Sequence, residues 1–219
     1  SSDVCSSDLV DINSTFSTDQ DNYYKFTLSG SVAASGSVQS LLNVNATTTS
    51  VPAYAFNHLF YYQTALTSAP TMPATSIGKS GYNYMFYNCS GLTKSPELPA
   101  TSLADPCYFN MFRYCKNITS APEVLPATTL ATACYLSMFD GCSKLVAAPK
   151  LPATTLATEC YKWMFYNCTA LKKVEVSFTE WLSGATNSWL YNAGSDGSLF
   201  LCPDDLSTTT RNTSYVPTT

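Results

Sequence analysis

Charge is scarce in this chain of 219 residues: Asp, Glu, Lys and Arg make up 12%, about half the ~25% of an ordinary globular protein. The net charge is −4 and no basic cluster occurs, which argues against a surface that neutralises nucleic-acid phosphates. There is one histidine, His58, and no Cys-x-x-Cys pair, so the usual ligand sets of a zinc site are missing. No apolar run approaches the ~20 residues of a membrane-spanning helix. The shortage of charge does not signal disorder. Aromatic residues reach 13%, led by fifteen tyrosines, whereas disordered chains are poor in aromatics and rich in charge.

The first nine residues stand apart. Ser1–Leu9 reads SSDVCSSDL, with Ser-Ser-Asp twice and no apolar segment of the kind a signal peptide carries. Val4–Leu9 matches the in-frame translation of a sequencing adapter, GTG TGC TCT TCC GAT CT. We therefore expect residues 1–9, Cys5 included, to be foreign to fold and function.

What the chain has in abundance is repetition. "LPATTLATACYLSMFDGCSKLVAAPK" from Leu125 is followed by "LPATTLATECYKWMFYNCTALKKV" from Leu151. Earlier copies begin at Leu98 and Met72, and a degenerate one at Val51. The pairs Met85-Phe86, Met111-Phe112, Met138-Phe139 and Met164-Phe165 are spaced 26, 27 and 26 residues apart, Val124 being the extra residue. Prolines 73, 99, 126 and 152 and cysteines 89, 115, 142 and 168 keep the same phase. Self-similarity at this period marks a repeat architecture whose units must stack to bury their apolar faces.

Within one copy, Cys107, Met111 and Cys115 stand at i, i+4 and i+8, with Tyr108 and Phe112 beside them. This spacing predicts one face of a short helix, with Asp105, Thr132 or Thr158 as its N-cap and Pro106 at its first position. Leu171, Val174 and Val176 predict a short strand after the helix. Prolines inside the equivalent stretches of earlier copies predict strands that are short and irregular. "LPATTLA" is then an extended return, with Leu103, Leu130 and Leu156 facing inward. The expected fold class is α/β: a leucine-rich-repeat-like solenoid of about five 26-residue repeats, with short parallel strands on one face and short helices on the other. Residues 10–50 are expected to form an N-terminal cap, 51–176 the solenoid, and 177–219 a C-terminal cap with a polar tail. Tyr24, Phe26 and Leu28 alternate as in a strand, Val38, Leu41 and Leu42 are spaced as in a helix, and "WLYNAGSDGSLFLCP" reads as two strand-like pieces around a turn.

The "MFxxC…L…P.LPAT.LA" repeats, the lead-in "FTLSGSVAASGSVQSLLN" and the "WLxxA…G.F.CP" ending resemble the BspA-like leucine-rich-repeat surface proteins of host-associated bacteria. The resemblance covers roughly residues 22–203, and similar repeats occur in gut-phage and protist proteins. It implies a protein on the cell surface or secreted, engaged in adhesion or in binding host or matrix protein or glycan. The chain departs from the repeat at Ala55 and Gly81, where the first cysteine is expected, and at Gln63 in place of the second.

No catalytic constellation is apparent, and no enzyme activity or cofactor is expected. His58 has no nucleophile and orienting acid placed with it by any motif. Asp19–Asn22 lacks the glycine and distal glutamate of a calcium loop, and it reads as a solvated turn, as does Asp204-Asp205. Six Asn-x-Ser/Thr sequons, at Asn13, Asn45, Asn88, Asn117, Asn167 and Asn212, follow from a composition rich in Asn, Ser and Thr.

The eight cysteines beyond Cys5 admit packing, disulfides or a metal. A helix would hold Cys107 and Cys115 roughly 12 Å apart, too far for a bridge, and packed helices would hold like cysteines of neighbouring copies ~8–10 Å apart. Buried free thiols are the expectation, with Cys202 the exception. If the protein acts, it presents a surface. The strand face offers one row with Thr93, Thr119, Val146 and Lys172 and another with Lys94, Ser120, Ala147 and Lys173, flanked by Glu97, Glu123 and Lys150. Tyr87 and Tyr166 are expected to add exposed stacking area. A ligand would be a protein or glycan on a host or neighbouring cell, with no nucleic acid. The competing reading is a structural spacer or phage virion component that positions another domain.

Overall fold

Every fourth residue of the expected helices has left-handed backbone. In the computed structural model, which describes residues 2–4, 19, 21–42, 45 and 47–209, φ is positive at Ser80, Tyr84 and Asn88 (54°, 54° and 55°), and again at Ala133, Ser137 and Gly141 (53°, 54° and 75°). Glu159, Trp163 and Asn167 repeat the pattern, as do Tyr54, His58 and Tyr62. A right-handed helix accommodates no such residue, so the predicted helices do not form. Among the described residues the one helical element is a 3-10 turn at Val38–Leu41. The α/β expectation is thereby corrected to a β-rich, repeat-like fold of short parallel strands.

The hydrogen bonds show what replaces the helix. Met85, Tyr87 and Cys89 donate their N–H groups three residues back, to Tyr82, Tyr84 and Phe86 at 3.1–3.2 Å. Between them, the N–H groups of Tyr84, Phe86 and Asn88 donate instead to the carbonyls of Phe109, Met111 and Arg113 in the next copy, at 2.8–2.9 Å. Each copy is thus a ribbon of overlapping turns that repeats every four residues. Half of its amides close the turns and half bond to the copy ahead. Left-handed backbone costs roughly 1–2 kcal/mol for a residue other than glycine. Bonds between copies, which a helix would forgo, and the stacking of identical side chains offset that cost.

Stacking builds the core. Phe60, Phe86, Phe112, Phe139 and Phe165 form one column with ring centroids 5.3, 5.4, 5.4 and 5.9 Å apart. Phe56, Tyr82, Tyr108, Tyr135 and Tyr161 form a second. The methionines of the four Met-Phe pairs are fully buried with them. Offset stacking of this kind adds to the burial of the rings themselves.

The strands are short, as the prolines predict. β1 (Ser2–Val4), β2 (Val32–Ala34) and β4 (Leu66–Ser68) form one parallel sheet, so three residues of the adapter-like segment pair with the chain instead of lying apart from its fold as expected. β3 (Ser50–Val51), β5 (Ser76–Ile77) and β6 (Ser102–Leu103) form a second, within the extended returns. β7 (Lys173–Glu175) pairs with β8 (Leu199–Leu201). Elsewhere single parallel bridges join the copies: Lys94 to Ser120, Val124 to Lys150, Ala147 to Lys173 and Leu151 to Val176. Leu103, Leu130 and Leu156 pack against the core from its margin.

The flanks depart from expectation in an informative way. The stretch read as a C-terminal cap continues the ribbon: Tyr161, Trp163, Phe165 and Asn167 donate to Ala185, Asn187, Trp189 and Tyr191 at 2.9–3.0 Å. Residues 185–191 therefore act as a further copy, with Trp189-Leu190 in the place of Met-Phe. At the other end Tyr24–Leu28 forms no strand. Phe26 instead donates its N–H to Leu59 and packs its ring, tilted, against Phe60. The remainder of the adapter-like segment, the sequons at Asn13 and Asn212, and the tail from 210 lie outside the described residues.

Cysteines 89, 107, 115, 134, 142, 160 and 168 are free and buried, and Cys202 is free and half-buried. Burial pushes the Cys89 thiol up to about 12 and Cys160 up to about 11. The thiols of Cys89, Cys115, Cys142 and Cys168 donate to the carbonyls of Phe60, Phe86, Phe112 and Phe139 in the preceding copy. This bond occupies the sulfur, and it replaces the helix-spacing argument, which falls with the helices.

Candidate functional site

Among the described residues, the ladder of hydrogen bonds is interrupted between two neighbouring stretches on the strand side. Thr71 donates its N–H back to Gly36 and accepts from Val38, while its hydroxyl also bonds Gly36. The hydroxyls of Thr67 and Ser68 bond the carbonyls of Val32 and Ala34. All these bonds run toward the N-terminal side. Across from them, Thr93 accepts from Thr119 and Ser95 donates to Ser120, toward the C-terminal side. Among the described residues no hydrogen bond joins Thr67–Pro73 to Thr93–Pro99. The two stretches part to leave an open groove of about 410 Å³, within the range of ligand sites. Thr67, Ser68 and Thr71 line one wall and Thr93, Lys94 and Glu97 the other; Ala69 and prolines 73, 96 and 99 supply apolar surface, and the buried Pro70 and Met72 complete the lining.

The groove is closed at both ends. Gly91 lies so close to the first copy that a Cβ there would sit 2.5 Å from the carbonyl oxygens of Thr64 and Leu66. Beyond the groove, Thr101 and Ala104 resume bonding, to Thr75 and Ile77, at 3.0 Å.

The structure brings Thr93, Lys94 and Glu97 of the predicted surface into this groove, all exposed. Thr119 and Ser120 lie on the adjoining rung, bonded to Thr93 and Ser95. Glu123 and Lys150 are exposed farther along, joined through Lys150 N–H to the Glu123 carbonyl. Lys172 is exposed at the far end, and half-buried Lys173 forms an ion pair with Glu175 at 2.8 Å. That bond, then burial in the opposite sense, leaves the Glu175 carboxyl below its usual range. The nine residues thus lie along one side, but only three share a cavity. The opposite wall, Thr67–Pro73, was not singled out by sequence reasoning.

The tyrosines expected to be open are only partly so. Tyr87 packs among Tyr61, Tyr62, Tyr84 and Tyr114 at 5.1–5.7 Å, and burial raises its hydroxyl to about 12. Tyr166 stacks on Tyr191 at 4.8 Å. Asp19 accepts from the N–H groups of Asp21 and Asn22, an exposed local turn.

His58 sits between Tyr23 and Tyr84, its ring 4.1 and 4.6 Å from theirs. Burial, and secondarily the charge of Lys25, lowers its pKa to about 4. The folded chain therefore resists protonation that the unfolded chain accepts near 6.5. The stability this contributes is complete above pH 6.5 and is lost as pH falls toward 4. A urea midpoint that drops between pH 7.5 and 4.5, and drops less in His58→Asn, is the expected result. Among the described residues no three His, Cys, Asp or Glu gather as a metal site, and no helix is long and apolar enough to cross a membrane. No family model, no curated protein and no solved structure matches the chain.

Proposed function

We propose that this chain is a non-catalytic binding or adhesion module of the BspA-like kind. In this reading its copies stack as a solenoid on a cell surface or secreted particle and present one side to a host protein, matrix or glycan. The observation that carries the proposal is the groove between Thr67–Pro73 and Thr93–Pro99. It is a lined, open cavity in a stack whose other described cysteine, tyrosine and histidine clusters are used for packing. Pockets of this size that mix apolar walls with a few polar groups are ordinary ligand sites. The exposed row from Thr93 to Lys172 extends the surface along the stack.

An array of glycans and matrix proteins probed with the full chain tests this. Saturable binding that weakens in Lys94→Ala is expected, with Lys173→Ala reporting whether the far end takes part. The regular bonding from copy to copy also suits the second reading, a spacer that positions another domain. Failure to bind any arrayed ligand would favour that reading.

A further inference from the structure

The groove has the form of a missing strand. In an extended segment the N–H and C=O of one residue point to one edge, and those of the next residue point to the other. Thr93 and Ser95 direct theirs toward Thr119 and Ser120, so Lys94 directs its own into the groove. On the facing wall Thr71 bonds back to Gly36 and Val38, so Met72 and the carbonyl of Pro70 face the groove. No hydrogen bond to another described residue occupies the main-chain groups of Lys94 or Met72. Each wall is thus the open edge of a parallel ladder that is satisfied on its far side. Such edges recruit strands.

We propose that the groove binds an extended peptide of a partner protein, inserted between the two walls and parallel to them. The inference rests on the reading of the chain as a binding module and names its partner class. A polypeptide is the ligand whose main chain offers alternating donors and acceptors at strand spacing, the general mode of strand addition. A glycan offers hydroxyls without that alternation. The walls span Thr93–Pro99, roughly 20 Å at strand rise, room for about five or six residues. Prolines 70, 73, 96 and 99 carry no N–H, which leaves main-chain donation to Lys94 and Met72, while the Pro70 carbonyl remains an acceptor. Lys94 and Glu97, both exposed on one wall, favour a peptide with an acidic side chain near the first and a basic one near the second. The peptide itself must lack proline where it meets Lys94, because it has to return a donor there.

The test is selection from a displayed random-heptapeptide library on the full chain, followed by titration of synthetic versions of the selected peptide. N-methylation at either of two adjacent central peptide residues is expected to weaken binding at least tenfold, because successive N–H groups of an inserted strand donate to opposite walls, and methylation at the terminal residues to leave it within twofold. Thr93→Trp, which fills the groove from an exposed position, is expected to abolish binding with the urea midpoint unchanged. Lys94→Pro, which deletes the inward N–H, should weaken it similarly, and Lys173→Ala should not. Sensitivity to methylation at alternate residues alone, insensitivity at every position, or undiminished binding by Thr93→Trp, overturns the strand-insertion proposal. Glycan or matrix-protein binding without any peptide binding overturns it too, while leaving the module reading intact. Absence of every class of ligand overturns both.

Discussion

Phe112→Ala is expected to destabilise the fold by ~3–5 kcal/mol, the usual penalty for truncating a fully buried phenylalanine. The ring is inaccessible to solvent and lies 5.4 Å from both Phe86 and Phe139, nearly parallel to each. Its removal opens a cavity walled above and below by rings that the main-chain ladder holds in place. Phe112 N–H donates to Met138, and the Phe112 carbonyl accepts from Cys115 N–H and the Cys142 thiol. These bonds limit collapse into the space, which keeps the cost toward the upper end. Because the ring stacks on one ring to each side, the loss falls on two contacts at once. Urea unfolding measures it, and a loss below ~1 kcal/mol in both Phe112→Ala and Phe139→Ala would contradict a shared aromatic column.

Gly91→Ala should cost ~1–3 kcal/mol, the range for forcing atoms into a packed space, and toward the top of it. A methyl group there meets two carbonyl oxygens at 2.5 Å. Both belong to backbone, which cannot rotate away. Equivalent positions in later copies hold Asn117, Lys144 and Ala170, so the repeat itself does not require glycine. The requirement comes from the pinch that closes the groove. Gly91→Ala is therefore expected to weaken ligand binding as well as lower the urea midpoint. Lys144→Ala, at an equivalent and exposed position, should change stability by less than ~0.5 kcal/mol. A Gly91→Ala variant as stable as the parent would show that the first two copies separate freely.

The parts of this structure that the sequence made legible are those read from phase. The Met-Phe row, the buried cysteines and the proline-shortened strands all follow from residues recurring at 26 or 27 positions. The local backbone was not legible, because Cys107, Met111 and Cys115 at spacings of four suit a ribbon repeating every four residues as well as a helix of 3.6. A signal was present in Asn88, Gly141 and Asn167, which tolerate left-handed backbone. Such residues also suit helix ends, and Tyr84 and Trp163 give no hint of the same conformation four residues earlier. The copy at 185–191 escaped notice because Trp189-Leu190 and Ala193 stand where Met-Phe and Cys are expected. Of the groove, only one wall was anticipated. Its opening depends on which way Thr71 and Ser95 direct their main-chain bonds, and no side-chain pattern encodes that direction.

Ser137→Gly tests the turn ribbon most directly. Ser137 lies midway between Cys134 and Gly141, where a helix was expected, and its φ is 54°. Its N–H donates to Lys162 at 2.9 Å, and its hydroxyl is buried without a partner. Glycine keeps the N–H, relieves roughly 1–2 kcal/mol of left-handed strain and removes the orphaned hydroxyl. Against this stands ~0.4–1 kcal/mol from the greater freedom of the unfolded chain. The account predicts a urea midpoint at or above that of the parent, with a net gain of about 1 kcal/mol. In a helix interior the same change would cost ~0.5 kcal/mol, and a lowered midpoint would contradict the ribbon.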